Sequence, residues 1–513
     1  MSRRSPALAV LSGVLFASSF PSLGCSFLAW FALVPLLLAL RGATVRAGLL
    51  LSFLFGFVFF CGTIYWITDA LHVYGRVPLL PASLITMLLS VILAIFIAPF
   101  GAAVVHIRTI RPGCVFLAAP AMWVTMELAR THLFSGFPWA LAGYSQYLMQ
   151  PLIQVADLAG VYGISFVIVL VNVTIAEAIS DRKRFAPLLT ASVVLIAVLG
   201  YGHHRLNAAT GSGGITITLV QGNIEQDKKW DPAYQGEVFA TYQRLTRKAI
   251  EQKPDLVIWP ETATPFYFGG AGRTDAAMTK DLREFARDMN TPLLTGSPTY
   301  EAKGGRIISL RNSAFMLDLE GATSSIYHKM HLVPYGEYVP MKKLLFFVEK
   351  IVQAIGDFQP GSEYTVMKVR LPAGDAVVLG TVICYEIIFP GLVRQFVNEG
   401  ATVMTTITND AWFGRTGAPY QHFSMVVFRA VENRVPFARA ANTGISGFID
   451  AKGRILERSG IFTEAHLTRT IVPGNRKTFY TRYGDVFAWL CALLTVAALL
   501  PYPARIGYLL SRQ

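Results

Sequence analysis

Long apolar runs on either side of a polar middle constrain the fold of this 513-residue chain more than any other feature. Each run approaches the roughly 20 residues that a helix needs to cross a bilayer. About seven candidate spans precede the polar middle and one follows it; they cover approximately residues 7–22, 27–40, 49–67, 79–105, 114–133, 161–178, 188–201 and 486–501. The first two are short, and Pro21 and Pro35 interrupt them. The sequence predicts a multi-span α-helical membrane domain over residues 1–205 and a C-terminal transmembrane helix over residues 486–503.

The composition supports residence in lipid and argues against a nucleic-acid partner. Hydrophobic residues make up 53% of the chain and charged residues only 15%, whereas soluble domains carry about 25% charged residues. The net charge of +13 would suit nucleic acid, but the sequence contains no basic stripe or recognition motif. Many lysines and arginines flank the apolar runs instead, where such residues set the orientation of membrane helices.

The charged loops between the spans predict the orientation of the chain. With eight spans, the basic loops all fall on one side of the membrane. The loops on the opposite side contain few lysines and arginines, and Arg76 is the main exception among them. The basic residues of that side are Arg3, Arg4, Arg41, Arg46, Arg108, Arg111, Arg182, Lys183, Arg184, Arg505 and Arg512. By the positive-inside rule we expect both termini in the cytoplasm and the polar middle on the opposite face.

The polar middle, residues 214–475, predicts a water-soluble α/β domain. Short apolar runs typical of buried strands alternate with amphipathic, helix-like stretches. The strand-like runs lie at 215–223, 255–261, 292–298, 376–386 and 402–410, and the helix-like stretches lie at 233–252, at 275–290 and from Pro390 onward. Two further strands flank Glu320 and Gly321, a predicted hairpin turn. This alternation is typical of α/β layers.

Cys384 stands apart from the other four cysteines, which lie in or beside apolar runs. The polar middle therefore has no internal disulfide, and no cysteine or histidine spacing is typical of a metal site. Cys384 ends a strand just before a predicted helix, so we expect it at the carboxyl edge of the sheet. There a thiolate could act as a nucleophile. The alternative is a buried core cysteine.

Two charged residues also follow predicted strands. Glu261, in WPET, would suit a general base; the alternative is an exposed carboxylate or a helix cap. Lys329, in HKMH, could lower the pKa of a nearby thiol and donate to an oxyanion; the alternative is a surface lysine near the membrane. The order Glu, Lys, Cys at three strand ends is more specific than any one of these residues.

The motifs around these three residues resemble those of the nitrilase, or carbon–nitrogen hydrolase, superfamily. They are WPET, HKMHLVPYGEYVP (328–340) and CYE, together with QGNI (221–224), NDAWFG (409–414) and RAANTGISGFID (439–450). The eight predicted spans, with GFPW (136–139) and GYSQ (143–146) in a membrane loop, restrict the resemblance to a membrane-embedded family within this superfamily. The whole chain is similar to the membrane-embedded apolipoprotein N-acyltransferases. The resemblance implies an α-β-β-α sandwich for the soluble domain.

The resemblance also implies roles for individual residues. Glu261 would be the general base, Lys329 would stabilise the oxyanion, and Cys384 would form a thioester acyl-enzyme. The supporting residues that it implies are Glu337, Trp230, Tyr385, Glu386 and Trp139. Trp139 would line the access path of the lipid, although aromatic residues at a membrane interface are common without function. Trp230 could equally be a packing anchor.

The implied function is phospholipid-dependent N-acylation of the N-terminal diacylglyceryl-cysteine of apolipoproteins, the final step of bacterial lipoprotein maturation. Its partners would be a phospholipid acyl donor, a diacylated apolipoprotein acceptor and the lipid bilayer, with no cofactor and no metal. The enzyme would lie in the bacterial inner membrane with its catalytic domain on the periplasmic side. Two alternatives stay open: a membrane-tethered amidase or nitrilase acting on a small C–N substrate, and a transporter or sensor with a degenerate nitrilase domain.

Two apolar stretches could cover the site and keep water from a thioester. One is FYFGG (266–270), which follows Glu261, and the other is the amphipathic segment 344–356. For both, ordinary core packing is the alternative.

Overall fold

The computed structural model describes residues 4–21, 23–180, 185–209, 211, 213–229, 231–303, 306–338, 358–370, 376–474 and 476–501. Trp230, the segment 344–356 and the charged residues Arg3, Arg182, Lys183, Arg184, Arg505 and Arg512 lie outside the described residues. The chain forms two compact units. One contains residues up to Tyr65, Ser83–His203 and the chain from Asp485, and the other contains Trp66–Ala82 and His204–Gly484. The domain limits given above stay predictions, and this division differs from them by grouping residues 66–82 with the polar middle.

Apolar helices build the first unit, as the hydropathy predicts. The helices up to residue 207 are α1 (Arg4–Ser18), α2 (Val34–Ala39), α3 (Val45–Thr63), α4 (Trp66–Asp69), α5 (Leu79–Ile110), α6 (Val115–His132), α7 (Gln150–Ile153), α8 (Ala156–Ser180) and α9 (Phe185–Asn207). Of these, α4 belongs to the second unit. Inside α8, Gly160 takes a positive φ of 62° and kinks the helix.

Within the described residues, five helical segments are long and apolar enough to cross a membrane: Val45–Thr63, Leu79–Ile110, Pro112–His132, Ala156–Ser180 and Ala186–Asn207. Three shorter apolar segments, Arg4–Ser18, Ser26–Ala39 and Val486–Leu499, correspond to the remaining predicted spans. At about 1.5 Å per residue, a 15-residue helix such as α1 falls short of the roughly 30 Å hydrocarbon core. The protein is therefore a multi-span membrane protein, and the count of eight spans stays a prediction.

The part of the second unit that the structure describes forms two six-stranded sheets. The first sheet has the order β12-β1-β2-β3-β4-β5 and the second β11-β10-β9-β8-β7-β6. The strands are β1 (Ile215–Gln221), β2 (Leu256–Ile258), β3 (Leu293–Lys303), β4 (Arg306–Leu317), β5 (Thr323–His328), β6 (Val366–Arg370), β7 (Ala376–Ile383), β8 (Val403–Thr408), β9 (Phe437–Ala441), β10 (Gly447–Ile449), β11 (Ile455–Arg458) and β12 (Ala465–Ile471). The central strands of each sheet run parallel and the outer strands antiparallel.

Helices cover the outer faces of both sheets. The helices of this part of the chain are α10 (Gln226–Lys229), α11 (Gln235–Ala249), α12 (Arg273–Met289), α13 (Pro390–Asn398), α14 (Ala418–Asn433) and α15 (Phe479–Tyr483), and α16 (Val486–Leu499) follows in the first unit. Apolar residues of α11 and α12 form one core with those of the first sheet, while α13 and α14 pack on the second. The sheets face each other through β1 and β9 and through β4 and β7. The predicted α-β-β-α sandwich is confirmed.

The central strands are buried on both faces, which explains their continuous apolar sequences. In β8 every residue is buried, including the threonines. The predicted hairpin turn at Glu320 and Gly321 lies between β4 and β5, where Gly321 takes a φ of +74°. Strand β3 is longer than predicted because residues 299–303, TYEAK, are largely polar and lack the apolar run used to recognise a strand.

Candidate active site

The sandwich brings Glu261, Lys329 and Cys384 together in the second unit. Each follows a strand: Glu261 comes shortly after β2, Lys329 directly after β5 and Cys384 directly after β7. The strands β2 and β5 belong to one sheet and β7 to the other. Gly296 of β3 makes room for this arrangement, because a Cβ there would approach the Glu261 backbone to 2.7 Å.

Cys384 starts a short 3₁₀ helix, Cys384–Ile388, at the end of β7. Its φ of +52° lies in the left-handed region, which is costly for a residue with a Cβ. The side chain is 9% exposed. Burial raises the pKa of the Cys384 thiol, the charge of Glu261 raises it further, and Lys329 opposes both. The resting group is therefore a neutral thiol, which needs a base before it can act as a nucleophile.

Lys329 lies between two carboxylates. Its Nζ is 3.5 Å from Oε1 of Glu261 and 2.9 Å from each carboxylate oxygen of Glu337. The side chain of Lys329 is 1% exposed. Burial alone would lower the pKa of Lys329, but the charges of Glu337 and Glu261 together raise it above its usual value. Lys329 is therefore a permanent cation beside the thiol.

Two asparagines fix the carboxylate of Glu261. The Asn312 side chain donates to Oε1 of Glu261 at 2.8 Å and to Oε1 of Glu337 at 2.9 Å. The backbone N–H of Asn409 donates to Oε2 of Glu261 at 2.9 Å. Asn409 belongs to the NDAWFG motif, and Asn312 interrupts the apolar strand β4. Neither asparagine was among the predicted site residues, although asparagine is uncommon inside a strand and could have drawn attention to Asn312.

Glu337 and Glu386 join the site to its surrounding loops. Besides Lys329 and Asn312, Glu337 accepts from the backbone N–H of Val333 at 2.8 Å. Glu386 accepts four hydrogen bonds: from the backbone N–H of Ile383, from the Tyr327 hydroxyl, and from the backbone N–H groups of Met330 and His331. It therefore ties the turn that carries Cys384 to the loop that follows Lys329.

The remaining residues from the sequence analysis lie in different surroundings. Tyr385 is buried beside Cys384, and its ring lies 5.3 Å from that of Phe389. Trp139 belongs to the first unit, is 1% exposed and stacks on Phe137. Phe266 and Phe268 belong to the apolar core under α11 and α12, so ordinary packing accounts for these two residues of FYFGG.

Lys229, at the end of α10, is a residue that the sequence analysis missed. Its Nζ donates to the backbone carbonyl of Glu261 at 3.0 Å, and the residue is 1% exposed. Burial lowers the pKa of Lys229 to about 7, although the charge of Glu261 opposes this shift. When it is protonated, two ammonium groups accompany the carboxylates of Glu261 and Glu337. A lysine in the polar stretch QDKKW carries no sequence signal for burial.

Both halves of the chain match known families. Residues 12–174 match the apolipoprotein N-acyltransferase N-terminal domain, and residues 216–478 match the carbon-nitrogen hydrolase family. An apolipoprotein N-acyltransferase of Geobacter metallireducens is 45% identical over 503 residues, which cover 95% of this chain and 93% of the relative. The chain belongs to the apolipoprotein N-acyltransferase family. A second relative of that name, from Haemophilus influenzae, is 31% identical over 95% of this chain and 92% of its own length.

Membership of this family makes the chain a membrane-bound acyltransferase with a nitrilase-like domain. Among solved structures, an amidase from Nesterenkonia sp. AN1 is 21% identical, with a TM-score of 0.38, over 52% of this chain and 93% of the amidase. That likeness is too weak to support an inference about the reaction.

Proposed function

We propose that this enzyme transfers an acyl chain from a phospholipid to the N-terminal amine of a diacylglyceryl-cysteine on an apolipoprotein, the final step of bacterial lipoprotein maturation. The reaction is ping-pong, with a thioester on Cys384 as the intermediate. One observation carries the proposal: a buried thiol lies beside a carboxylate and a permanent cation that pair with each other, close enough for both charges to act on its pKa. Family membership supports the substrate class.

In the first half-reaction, Glu261 takes the proton of the Cys384 thiol and Sγ attacks the ester carbonyl of the phospholipid. Negative charge develops on the carbonyl oxygen, and the ammonium of Lys329 stabilises it. The tetrahedral intermediate then expels the lysophospholipid alkoxide, which receives the proton held by Glu261. The products are a thioester and a lysophospholipid, and Glu261 is again a carboxylate.

In the second half-reaction, the free amine of the acceptor attacks the thioester carbonyl. Glu261 accepts a proton from the attacking nitrogen, and the Cys384 thiolate leaves and takes that proton. The product is an amide, which is more stable than a thioester, so the transfer runs forward. Because Lys329 is 1% exposed and Cys384 9% exposed, the site is poorly accessible to water that would hydrolyse the intermediate.

We further propose that the enzyme lies in the bacterial inner membrane, with the nitrilase-like domain on the periplasmic side and both termini in the cytoplasm. The distribution of lysines and arginines between the loops supports this orientation. It would give the site access to phospholipid and to lipoprotein substrates on the outer face of that membrane.

A reconstituted reaction tests the proposed function. The purified protein is incubated with phospholipid and a synthetic diacylglyceryl-cysteine peptide, and the mass of the peptide is followed. We expect the peptide to gain one acyl chain while lysophospholipid accumulates. Release of free fatty acid with an unchanged peptide would instead identify a hydrolase.

A further inference from the structure

A buried charged cluster lies behind Cys384 and takes no part in the proposed reaction. Asp410 follows β8, His422 lies in α14 and Arg439 lies in β9. All three side chains are fully buried. Burying charged groups is costly unless they are paired, so a cluster of this kind calls for an explanation.

The cluster ends on the backbone of the nucleophile. Nε2 of His422 lies 3.2 Å from the carbonyl oxygen of Cys384. On the other side of the ring, Nδ1 lies 3.0 Å from Nη2 of Arg439 and 3.2 Å from Oδ1 of Asp410. The same Nη2 donates to Oδ2 of Asp410 at 2.8 Å. The imidazole is thus held from both sides.

The hydrogen-bond partners determine the tautomer of His422. A carbonyl oxygen can only accept, so Nε2 must carry a proton. Burial lowers the pKa of His422 and the charge of Arg439 lowers it further, although Asp410 opposes them. The ring is therefore neutral at neutral pH, and Nδ1 accepts from Arg439. Burial alone would raise the pKa of Asp410, but the charge of Arg439 holds it below its usual range, so Asp410 anchors Arg439 as a carboxylate.

The backbone of Cys384 needs such support because its φ of +52° is unfavourable for a residue with a Cβ. We propose that His422 is a positioning residue whose Nε2–H holds the Cys384 carbonyl and thereby keeps the nucleophile in the conformation that directs Sγ towards the substrate. This inference rests on the proposed thioester chemistry. Because the peptide unit is planar, a fixed carbonyl also fixes the direction of the Tyr385 N–H.

Two substitutions of His422, to glutamine and to asparagine, distinguish a positioning role of this residue from a role in packing alone. A glutamine at position 422 can place an amide N–H near the position of Nε2, whereas an asparagine reaches only as far as Nδ1. The rate of thioester formation from phospholipid vesicles is measured by intact-protein mass over a range of lipid concentrations. The maximal rate constant of this step is taken as kcat and the half-saturating lipid concentration as KM, and the melting temperature is measured in parallel. Ser424→Ala is the control, because Ser424 is a buried polar residue of the same helix whose hydroxyl donates to the Gln421 carbonyl.

We expect His422→Gln to keep kcat within about 5-fold of the wild type, the effect of a single altered hydrogen bond. We expect His422→Asn to lose about 100-fold in kcat with KM unchanged, since a misplaced nucleophile loses that much. Equal rates for the two variants would overturn the inference. If the asparagine variant does not fold, Arg439→Lys replaces it, because lysine lacks the Nε–H that donates to the Ile445 carbonyl and therefore cannot hold its ammonium where Nη2 lies. A fall in its kcat at constant KM supports positioning, and an unchanged kcat overturns it. Failure of the wild type to form any thioester would instead refute the proposed function.

Discussion

Lys329 shows how a single buried side chain can serve two purposes. Its ammonium neutralises Glu261 and Glu337 in the resting enzyme, and under the proposed mechanism it also stabilises the oxyanion. It lowers the pKa of the Cys384 thiol as well, though less than burial raises it. The effect of Lys329 on the thiol pKa and its stabilisation of the oxyanion can be separated by pH. A raised pH deprotonates the thiol without help, but it cannot supply an oxyanion donor.

We predict that Lys329→Met loses at least about 100-fold in acylation rate, the typical cost of removing an oxyanion donor, and that the loss persists at about pH 9. The measurement is thioester formation at neutral and raised pH, with the melting temperature to confirm folding. Recovery to near the wild-type rate at raised pH would show that Lys329 acts only on the pKa of the thiol.

The low pKa of Lys229 predicts how the stability of the folded state changes with pH. Its pKa falls from 10.5 to about 7 on folding, so between these pH values the unfolded state binds more protons and the folded state gains stability as pH rises. Below about pH 7 the full cost of burying the charge remains. Lys229→Met should therefore raise the melting temperature more at about pH 6 than at about pH 9.5.

The neighbouring Lys228, whose side chain is 43% exposed, supplies the matched control for that experiment. Lys228→Met also removes one positive charge, but from the surface, so its effect on the melting temperature should hardly vary with pH. The hydrogen bond from Lys229 to the Glu261 carbonyl is lost at every pH, so the difference between the two pH values isolates the charge. An equal effect of Lys229→Met at both values would contradict the low pKa.

The strand ends explain which site residues the sequence could reveal. Cys384 and Glu261 follow apolar strands and Lys329 follows the hairpin strand β5, so strand ends and their motifs were enough to propose them. Asn312, Lys229 and His422 act through partners that lie 51, 32 and 38 residues away along the chain. Only folding brings such pairs together, so a local pattern can mark Asn312 as unusual for a strand but cannot identify the partner of any of the three residues.

The side chain of Glu386 accepts from the backbone N–H of Ile383, just before the 3₁₀ turn of Cys384–Ile388, and from three donors outside that turn. We predict that Glu386→Gln lowers the free energy of unfolding by about 2–3 kcal/mol, because hydrogen bonds to a charged acceptor are strong and an amide cannot accept from all four donors. Acylation should slow as well, since the turn and the loop after Lys329 lose their link. Chemical denaturation and the acylation rate measure the two effects.

Tyr327→Phe is the control for that substitution, because it removes only one of the four donors to Glu386. It should cost about 1 kcal/mol, the usual net value of one hydrogen bond. If Glu386→Gln were as stable and as active as Tyr327→Phe, the link between turn and loop would not matter.

At the scale of the whole molecule, length and hydropathy identify the membrane helices. The residues at which these helices begin and end are less predictable. The strongly apolar α3, α5 and α8 lie where the sequence predicts them. The region 27–40 instead forms a 3₁₀ helix, Ser26–Trp30, and the short α2, with Pro35 near the start of α2. The grouping of residues 66–82 with the second unit could not be predicted, since it depends on tertiary contacts.

We predict that the nitrilase-like domain lies outside the cytoplasm, because the basic loops fall on the side of the two termini. A reporter that is active only outside the cytoplasm, fused after Gly213, should be active, and the same reporter at the C-terminus should be silent. The reverse pattern would invert the topology.

The central claim is that Cys384 carries the acyl group, and intact-protein mass after incubation with phospholipid alone tests it most directly. We predict an adduct of one acyl chain on the wild type, located on the peptide that contains Cys384 and removed by hydroxylamine. Cys384→Ser and Glu261→Gln should carry none, while Glu464→Gln, which alters an exposed carboxylate of the same domain, should carry the full adduct. Acylation of another residue, or acyl transfer to the peptide acceptor by Cys384→Ser at the wild-type rate, would contradict the account.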